Sequence, residues 1–243
     1  MRMGDCMFLD ELKLLNNDTG EVYRTVRFRL GANLIVDAER SESHNKVGKT
    51  TFLKLIDVLM GAKDRKNIYH DDETNSDALD LMSFIEGNRV CAALSVKKNL
   101  GDQETAARLE VDLFSRGCYR INGERGSQKE YRIRLNDLMF GNVEDIPTFR
   151  QLIDSFVRVS MSGDNDSFLK CIPRASNAVY RSVYNYLYDI ADPAVDKKLG
   201  DAKAERRRAE DAKRRYVRLY GVGESLEEQQ QVLVALQREL DAI

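Results

Sequence analysis

One segment brings together the residue types that hold phosphate. It reads Ser43-His44-Asn45-Lys46-Val47-Gly48-Lys49-Thr50-Thr51. The phosphate-loop pattern G-x-x-x-x-G-K-[ST] is met at every fixed position except the first, where Ser43 replaces glycine. Each retained residue has a task. Gly48 lets the backbone turn tightly around phosphate oxygens. Lys49 sets a positive charge against β- and γ-phosphates, and the Thr50 hydroxyl offers a ligand to Mg²⁺. A helix that begins at the end of the loop aims its free N–H groups at the anion. Ser43 can replace glycine only where its φ is allowed. The implied ligands are ATP and Mg²⁺, held by residues 43–51. His44 reads as part of this loop rather than as a catalytic base.

A bare G-K-T triplet occurs by chance in ordinary loops, so the flanking elements decide its weight. The motif needs a strand before it and a helix after it. Ala32-Asn33-Leu34-Ile35-Val36 is a short apolar run that reads as a buried central strand. From Gly48 to Met60, Phe52, Leu55, Ile56 and Leu59 recur at helical spacing, and Gly61 is a natural stop. Upstream, residues 7–15 read as a strand closed by the turn cluster Asn16-Asn17-Asp18-Thr19-Gly20. Residues 22–30 alternate as a half-buried strand with Val22, Val26, Phe28 and Leu30 on one side. Downstream, residues 63–80 read as an exposed irregular loop. Residues 90–97 and 109–114 read as strands. Asn122-Gly123 marks a hairpin. Helices are expected at 135–140, 148–159 and 177–190, the second with Phe149, Leu152, Ile153 and Phe156 on one face.

The chain has 243 residues, 42% of them hydrophobic, enough to bury a core. Charged residues make up 32%, above the usual ~25%, and they concentrate after Pro193. Pro193 is a plausible helix start, with a charged helical stretch to Arg218. After Gly221-Val222-Gly223, the residues Leu226, Gln229, Leu233, Leu236, Leu240 and Ile243 alternate spacings of three and four. That spacing is an a/d seam, readable as a coiled coil or as an amphipathic helix on a core. The net charge of -2 names no polyanionic partner. The local runs Arg206-Arg207-Arg208 and Lys213-Arg214-Arg215 admit two readings, DNA backbone contact or a solvated helix surface interleaved with Glu205, Glu210 and Asp211. Cys6, Cys91, Cys118 and Cys171 form no C-x-x-C pair, which points to reduced thiols in a cytoplasmic protein. His70 beside Asp71 and Asp72 is either a metal site or, more simply, an exposed acidic loop. No signal-peptide pattern and no run of eighteen apolar residues is present.

The stretch Gly31-Ala32-Asn33-Leu34-Ile35-Val36, followed by Asn45-x-x-Gly48-Lys49-Thr50-Thr51-Phe52-Leu53-x-Leu55-Ile56, resembles the head of SMC/RecN-type ABC ATPases. Asn45 matches the asparagine of that family's loop. Ser43 and Lys46 depart from its two glycines. Leu138-Met139-Phe140-Gly141, Phe149-Arg150-x-Leu152-Ile153-x-x-Phe156-Val157-Arg158 and Tyr186-Leu187 resemble a bacterial subgroup found beside effectors in anti-phage systems, including the Lamassu type.

The resemblance implies an α/β fold, a P-loop NTPase head lobe with a mixed sheet over residues 1–192, followed by the start of a coiled-coil arm over 193–243. It implies ATP-gated homodimerisation, DNA as partner, accessory and effector subunits, and work away from membranes. Hydrolysis in this family also needs a Walker B stretch and an S-G-G signature. Leu109-Glu110-Val111-Asp112 and Ser160-Met161-Ser162-Gly163-Asp164 are the nearest segments, and neither fits. The family carries both elements on the returning half of its coiled coil, so the chain is expected to be an N-terminal portion that hydrolyses little by itself. Gln151 stands at a plausible distance for a γ-phosphate-sensing glutamine, although a surface helix residue is the simpler reading. Two other function classes stay open: a self-contained P-loop kinase or GTPase, and a nucleotide-binding scaffold whose altered loop does not hydrolyse.

Overall fold

The computed structural model describes residues 7–35, 49–71, 75–159, 172, 175–191, 193–220 and 226–240. The chain divides into two compact units, 1–193 and 194–243.

The first unit is built on a six-stranded sheet. In chain order its strands are β1 (Phe8–Asn16), β2 (Val22–Arg27), β5 (Val90–Lys97), β6 (Ala107–Asp112), β7 (Tyr119–Ile121) and β8 (Glu124–Gly126). Their spatial order is β2-β1-β5-β6-β7-β8, and every pairing is antiparallel. The turns explain the hairpins. The Asn16 side chain accepts the Asp18 and Thr19 amides, and Gly20 has φ 74°. Asn122 and Gly123 both have positive φ, as a tight hairpin with the right strand twist requires.

Register sorts the side chains into rows that alternate between the two faces. Val26, Leu12, Leu94, Leu109 and Ile121 lie side by side across five strands. Leu14, Ala92, Val111 and Tyr119 form the next row on the same face. This face is the core floor: Leu94 and Leu109 are fully buried. The opposite face carries the rows Lys13-Ala93-Glu110-Arg120 and Glu11-Ser95-Arg108. One apolar and one charged face is the usual arrangement of an antiparallel sheet covered on one side.

Helix α1 (Lys49–Leu59) lies on the apolar floor, with Leu55, Ile56, Val58 and Leu59 in the same core as Leu94 and Val111. It ends in a left-handed Gly61, with the Ala62 amide bonded to Asp57 O and the Gly61 amide to Val58 O. That is a Schellman stop, as the sequence leads one to expect. The hairpin of β3 (His70–Asp71) and β4 (Ser76–Asp77) follows, then α2 (Leu79–Gly87). Helix α3 (Gln128–Phe140) starts on a Ser127–Glu130 capping box. Helices α4 (Phe149–Ile153) and α5 (Asn177–Leu187) complete the layer. A second small core joins Leu152, Ile172 and Val183. The second unit contains α6 (Pro193–Tyr220, whose first residue closes the first unit) and α7 (Leu226–Leu240).

Several expectations are corrected. Ala32–Ile35 is not a buried central strand: it joins no ladder, and Leu34 is 82% exposed. The Asn33 side chain accepts the Arg29 amide and donates to the Arg29 and Gly31 carbonyls, closing a local loop where a ladder was expected. Val36 lies outside the described residues. Without that strand the sheet is antiparallel throughout, and the expected mixed sheet is not found among the described residues.

Strand β2 stops at Arg27, and its inward residues are Tyr23 and Val26 instead of Val22 and Val26. A bulge between Leu14 and Leu15 shifts the register there, so Tyr23 turns in and meets the Phe84 ring at 5.4 Å. Residues 63–80 are not irregular. A short 3-10 turn at Arg65–Ile68 buries Ile68, and the β3–β4 hairpin follows. Helix α3 starts seven residues before the expected 135, because Tyr131 alone faces the core in its polar first half. Helix α4 stops at Ile153, leaving Phe156 64% exposed against the Phe140 ring. The interruption at 221–225 and Ile243 lie outside the described residues, and Leu233 of the expected seam is 64% exposed.

The Tyr131 hydroxyl, fully buried, donates to the Leu59 carbonyl at 2.7 Å and joins α3 to the end of α1. Burial holds its pKa well above the ordinary phenol value, so it stays a donor. Tyr131→Phe is expected to cost about 1–3 kcal/mol by orphaning that carbonyl. Urea unfolding of the two chains measures it.

Candidate functional site

Of the nine phosphate-loop residues, Ser43, His44, Asn45, Lys46, Val47 and Gly48 lie outside the described residues, as does the side chain of Lys49. The described part of the site is the start of α1. Lys49 opens the helix, Thr50 is exposed and Thr51 half-buried in its first turn. A helix start leaves its first amides without intrahelical partners and carries a partial positive charge. Helix α1 has no acidic residue in its first turn to offset that charge. The sequence places Lys49 there as well. The end is therefore doubly positive and built from the residue types that take an anion.

What holds this end in place is found farther along the helix. Lys54, one turn on, donates to the His70 carbonyl at 2.7 Å and ties α1 to the β3–β4 hairpin. At the far end, the carbonyl of Leu59 and those of the three residues after the helix receive donors from elements remote in sequence. Tyr131 takes Leu59 O, Arg150 takes Met60 O (3.1 Å), Arg132 takes Gly61 O (2.7 Å) and Gln128 takes Ala62 O (2.7 Å). Arg150 also pairs with Asp57 at 2.7 Å and with Asp154 at 2.7 Å. Helix α1 carries no basic residue in its own last turn. Arg132 and Arg150 supply the cations that a helix C-terminus favours. Burial and the neighbouring Arg150 charge lower the Arg132 pKa. Burial raises the Asp154 pKa against the pull of Arg150.

Other sequence candidates divide. Asp112, the end of the segment nearest to a Walker B, lies on β6 and is 2% exposed. Arg120 reaches it at 2.5 and 3.1 Å, and the Cys118 amide bonds it at 2.8 Å. Burial opposes the Arg120 charge, but hydrogen bonds and charge from Asp112 outweigh it and raise its pKa. Asp112 is thus committed to a structural pair. Gln151 accepts the Thr148 amide at 2.9 Å and closes the start of α4, a capping role. His70 Nδ1 lies 2.6 Å from Asp77. Among the described residues no cluster of His, Cys, Asp and Glu can hold a metal. The Ser160–Asp164 segment and Asp72 lie outside the described residues. On α6, Arg206, Arg207, Arg208, Lys213, Arg214 and Arg215 are all exposed, and Arg206 pairs with Glu210 at 3.3 Å. Among the described residues, no helix is long and apolar enough to cross a membrane.

Local pattern gives no hint of Arg120, Arg132 or Arg150. The nearest sequence signal is the alternation of β6, which sets Arg108, Glu110 and Asp112 on one face of the strand, where a charge that becomes buried requires a partner.

No protein-family model and no curated protein matches the chain. Among solved structures it is similar to a chain from work on ATP-driven dimerization and DNA stimulated activation of SMC ATPases. The identity is 16% and the TM-score 0.39, over 74% of this chain and 99% of that one. A likeness of that size assigns neither a family nor an activity.

Asp112→Ala is expected to cost about 1–3 kcal/mol, because the Cys118 amide and part of the Arg120 guanidinium lose their acceptor while Glu110 and Asn17 still hold Arg120. Urea unfolding measures this, and a loss of ATP turnover at unchanged stability would instead mark Asp112 as catalytic. The Cys91 thiol is buried, and burial followed by the Asp112 charge pushes its pKa up to about 12. Iodoacetamide at pH 8 should leave Cys91 unmodified in the native protein and alkylate it in denaturant, as peptide mass mapping would show.

Proposed function

We propose that the chain is the ATP-binding half of an SMC-like ATPase head, in which nucleotide-gated dimerisation is coupled to DNA sensing or tethering in DNA repair or in anti-phage or plasmid defence. The observation that carries the reading is Lys49-Thr50-Thr51 of the phosphate-loop pattern opening a helix whose first turn lacks an acid and whose far end is held by four side chains. In this reading Gly48, Lys49 and the first amides of α1 hold the β- and γ-phosphates, and Thr50 ligates Mg²⁺.

A second head, presenting its signature to the γ-phosphate, closes the dimer. The Walker B carboxylates come from another segment or subunit, since no stretch of this sequence fits them. The exposed cations of α6 contact the DNA backbone. That helix carries ten Lys and Arg against five Asp and Glu, although the whole chain is at -2. Accessory and effector subunits would complete the assembly in the cytoplasm.

Lys49→Ala is expected to weaken Mg·ATP binding at least about tenfold in titration calorimetry, as loss of a charge-assisted phosphate contact implies. It should also abolish ATP-dependent dimerisation in sedimentation. Binding without dimerisation would favour a self-contained kinase or GTPase, absence of binding would favour a scaffold, and turnover that survives Lys49→Ala would overturn the reading. Replacing Arg206, Arg207, Arg208, Lys213, Arg214 and Arg215 by Gln should reduce the salt-dependence slope of DNA binding by up to about 5. An unchanged slope would remove α6 from the DNA contact.

A further inference from the structure

The side of α1 that carries Thr50 also carries the helix's two lateral tethers. Residues 50, 54 and 57 are spaced four and three apart, so they line one side of the helix over two turns, about 10 Å of axis. Thr50 stands at the phosphate end. Lys54 is bonded to the β3–β4 hairpin, and Asp57 is bonded to Arg150. The three α3 donors, Gln128, Tyr131 and Arg132, reach backbone carbonyls past Val58. Arg150 alone grips both a carbonyl, Met60 O, and a side chain on the functional side.

Arg150 belongs to an element that is little more than one turn long. Helix α4 has five residues, too few to hold a position by itself. It is placed by its neighbours on both sides. Phe149 and Ile153 enter the main core under α1, while Leu152 enters the small core with Val183 of α5. An axial or rotational shift of α1 moves Asp57, hence Arg150, hence α4 between its two cores.

We propose that Arg150 is a positioning residue for the phosphate-binding helix: through Asp57 and the Met60 carbonyl it holds α1 in its nucleotide-binding setting, and it passes nucleotide occupancy to α4 and α5. The proposal rests on nucleotide binding at the start of α1. Arg150 touches neither phosphate nor metal; it acts through α1. Asp154 steadies the guanidinium from the other side at 2.7 Å.

The test uses the full chain with Mg·ATP as probe and reads two quantities, the dissociation constant by calorimetry and ATP-induced hydrogen-exchange protection of residues 177–187. Arg150→Gln is expected to weaken Mg·ATP about tenfold, within the usual range of coupling between linked sites, and to abolish the added protection in α5. Arg65→Gln is the control for simple destabilisation. Arg65 bonds the Asp112 and Gly117 carbonyls and has no bond to α1. At a comparable loss of urea stability it should leave both readouts at wild-type values. Arg150→Lys, which keeps the charge but cannot reach Asp57, Met60 O and Asp154 together, should recover part of the affinity and little of the protection. Wild-type values for Arg150→Gln overturn the proposal alone, and equal losses in Arg65→Gln do the same by showing a merely structural role. A wild-type chain that binds no Mg·ATP overturns the nucleotide reading and the proposal with it.

Discussion

Helix α1 ends inside the protein, where each carbonyl of its last turn must find a donor without the help of bulk water. Most of the first unit can be understood as the answer to that requirement. The Schellman turn at Gly61 satisfies Asp57 and Val58. The next four carbonyls take side-chain donors from α3 and α4. The three α3 donors are placed by the β7–β8 hairpin, which delivers the chain directly into the Ser127 cap and starts α3 at the end of α1. An orphaned carbonyl in that place would cost on the order of 1–3 kcal/mol, a large share of a domain's net stability. The same bonds anchor α1 at the end opposite Lys49 and Thr50.

The sheet supplies the platform, and its two faces follow different physics. On the inner face, unbroken apolar rows give α1 a floor whose contribution scales with buried area. On the outer face, charges are laid in alternating sign. Glu11 sits between Lys13 and Arg27, and the Lys13 hydrogen bond leads in lowering its pKa. Such exposed pairs contribute little each. Arg120 is different. Its guanidinium donates to the Cys91 sulfur at 3.3 Å, pairs with Glu110 at 3.3 Å and is locked on the buried Asp112, where a charge without a partner is costly. This is why the acidic residue at the end of β6, a strand that alternates apolar and charged residues, is structural here.

Local order in the sequence was a good guide wherever local forces decide. The turn residues Asn16 to Gly20 and Asn122-Gly123, the strand at residues 90–97, and the helical spacing of Leu55, Ile56 and Leu59 were each legible. Turn geometry and periodicity are properties of a few adjacent residues. The errors occur where a single polar side chain or one extra residue overrules the pattern. Asn33 folds its side chain back on Arg29 and Gly31 and keeps an apolar run out of the sheet. One bulge at Leu14/Leu15 reverses the facing of Tyr23. In α3, a nearly all-polar first half is held by the buried Tyr131 and by the Gln128 and Arg132 bonds to Ala62 O and Gly61 O, which no periodicity reveals.

For the candidate site, the proposed chemistry rests on local sequence: the spacing of Gly48, Lys49 and Thr50, with Lys49 opening α1. Such a motif acts through backbone amides and side chains that are neighbours in the chain, so its meaning is local. What holds that helix, and which acids are already paired, depends on contacts between distant parts of the chain. Arg150 meets Asp57 across 93 residues, and Arg120 meets Asn17 across 103. These pairings depend on sheet register and helix packing, which bring together charges that nothing in their own surroundings in sequence assigns to one another.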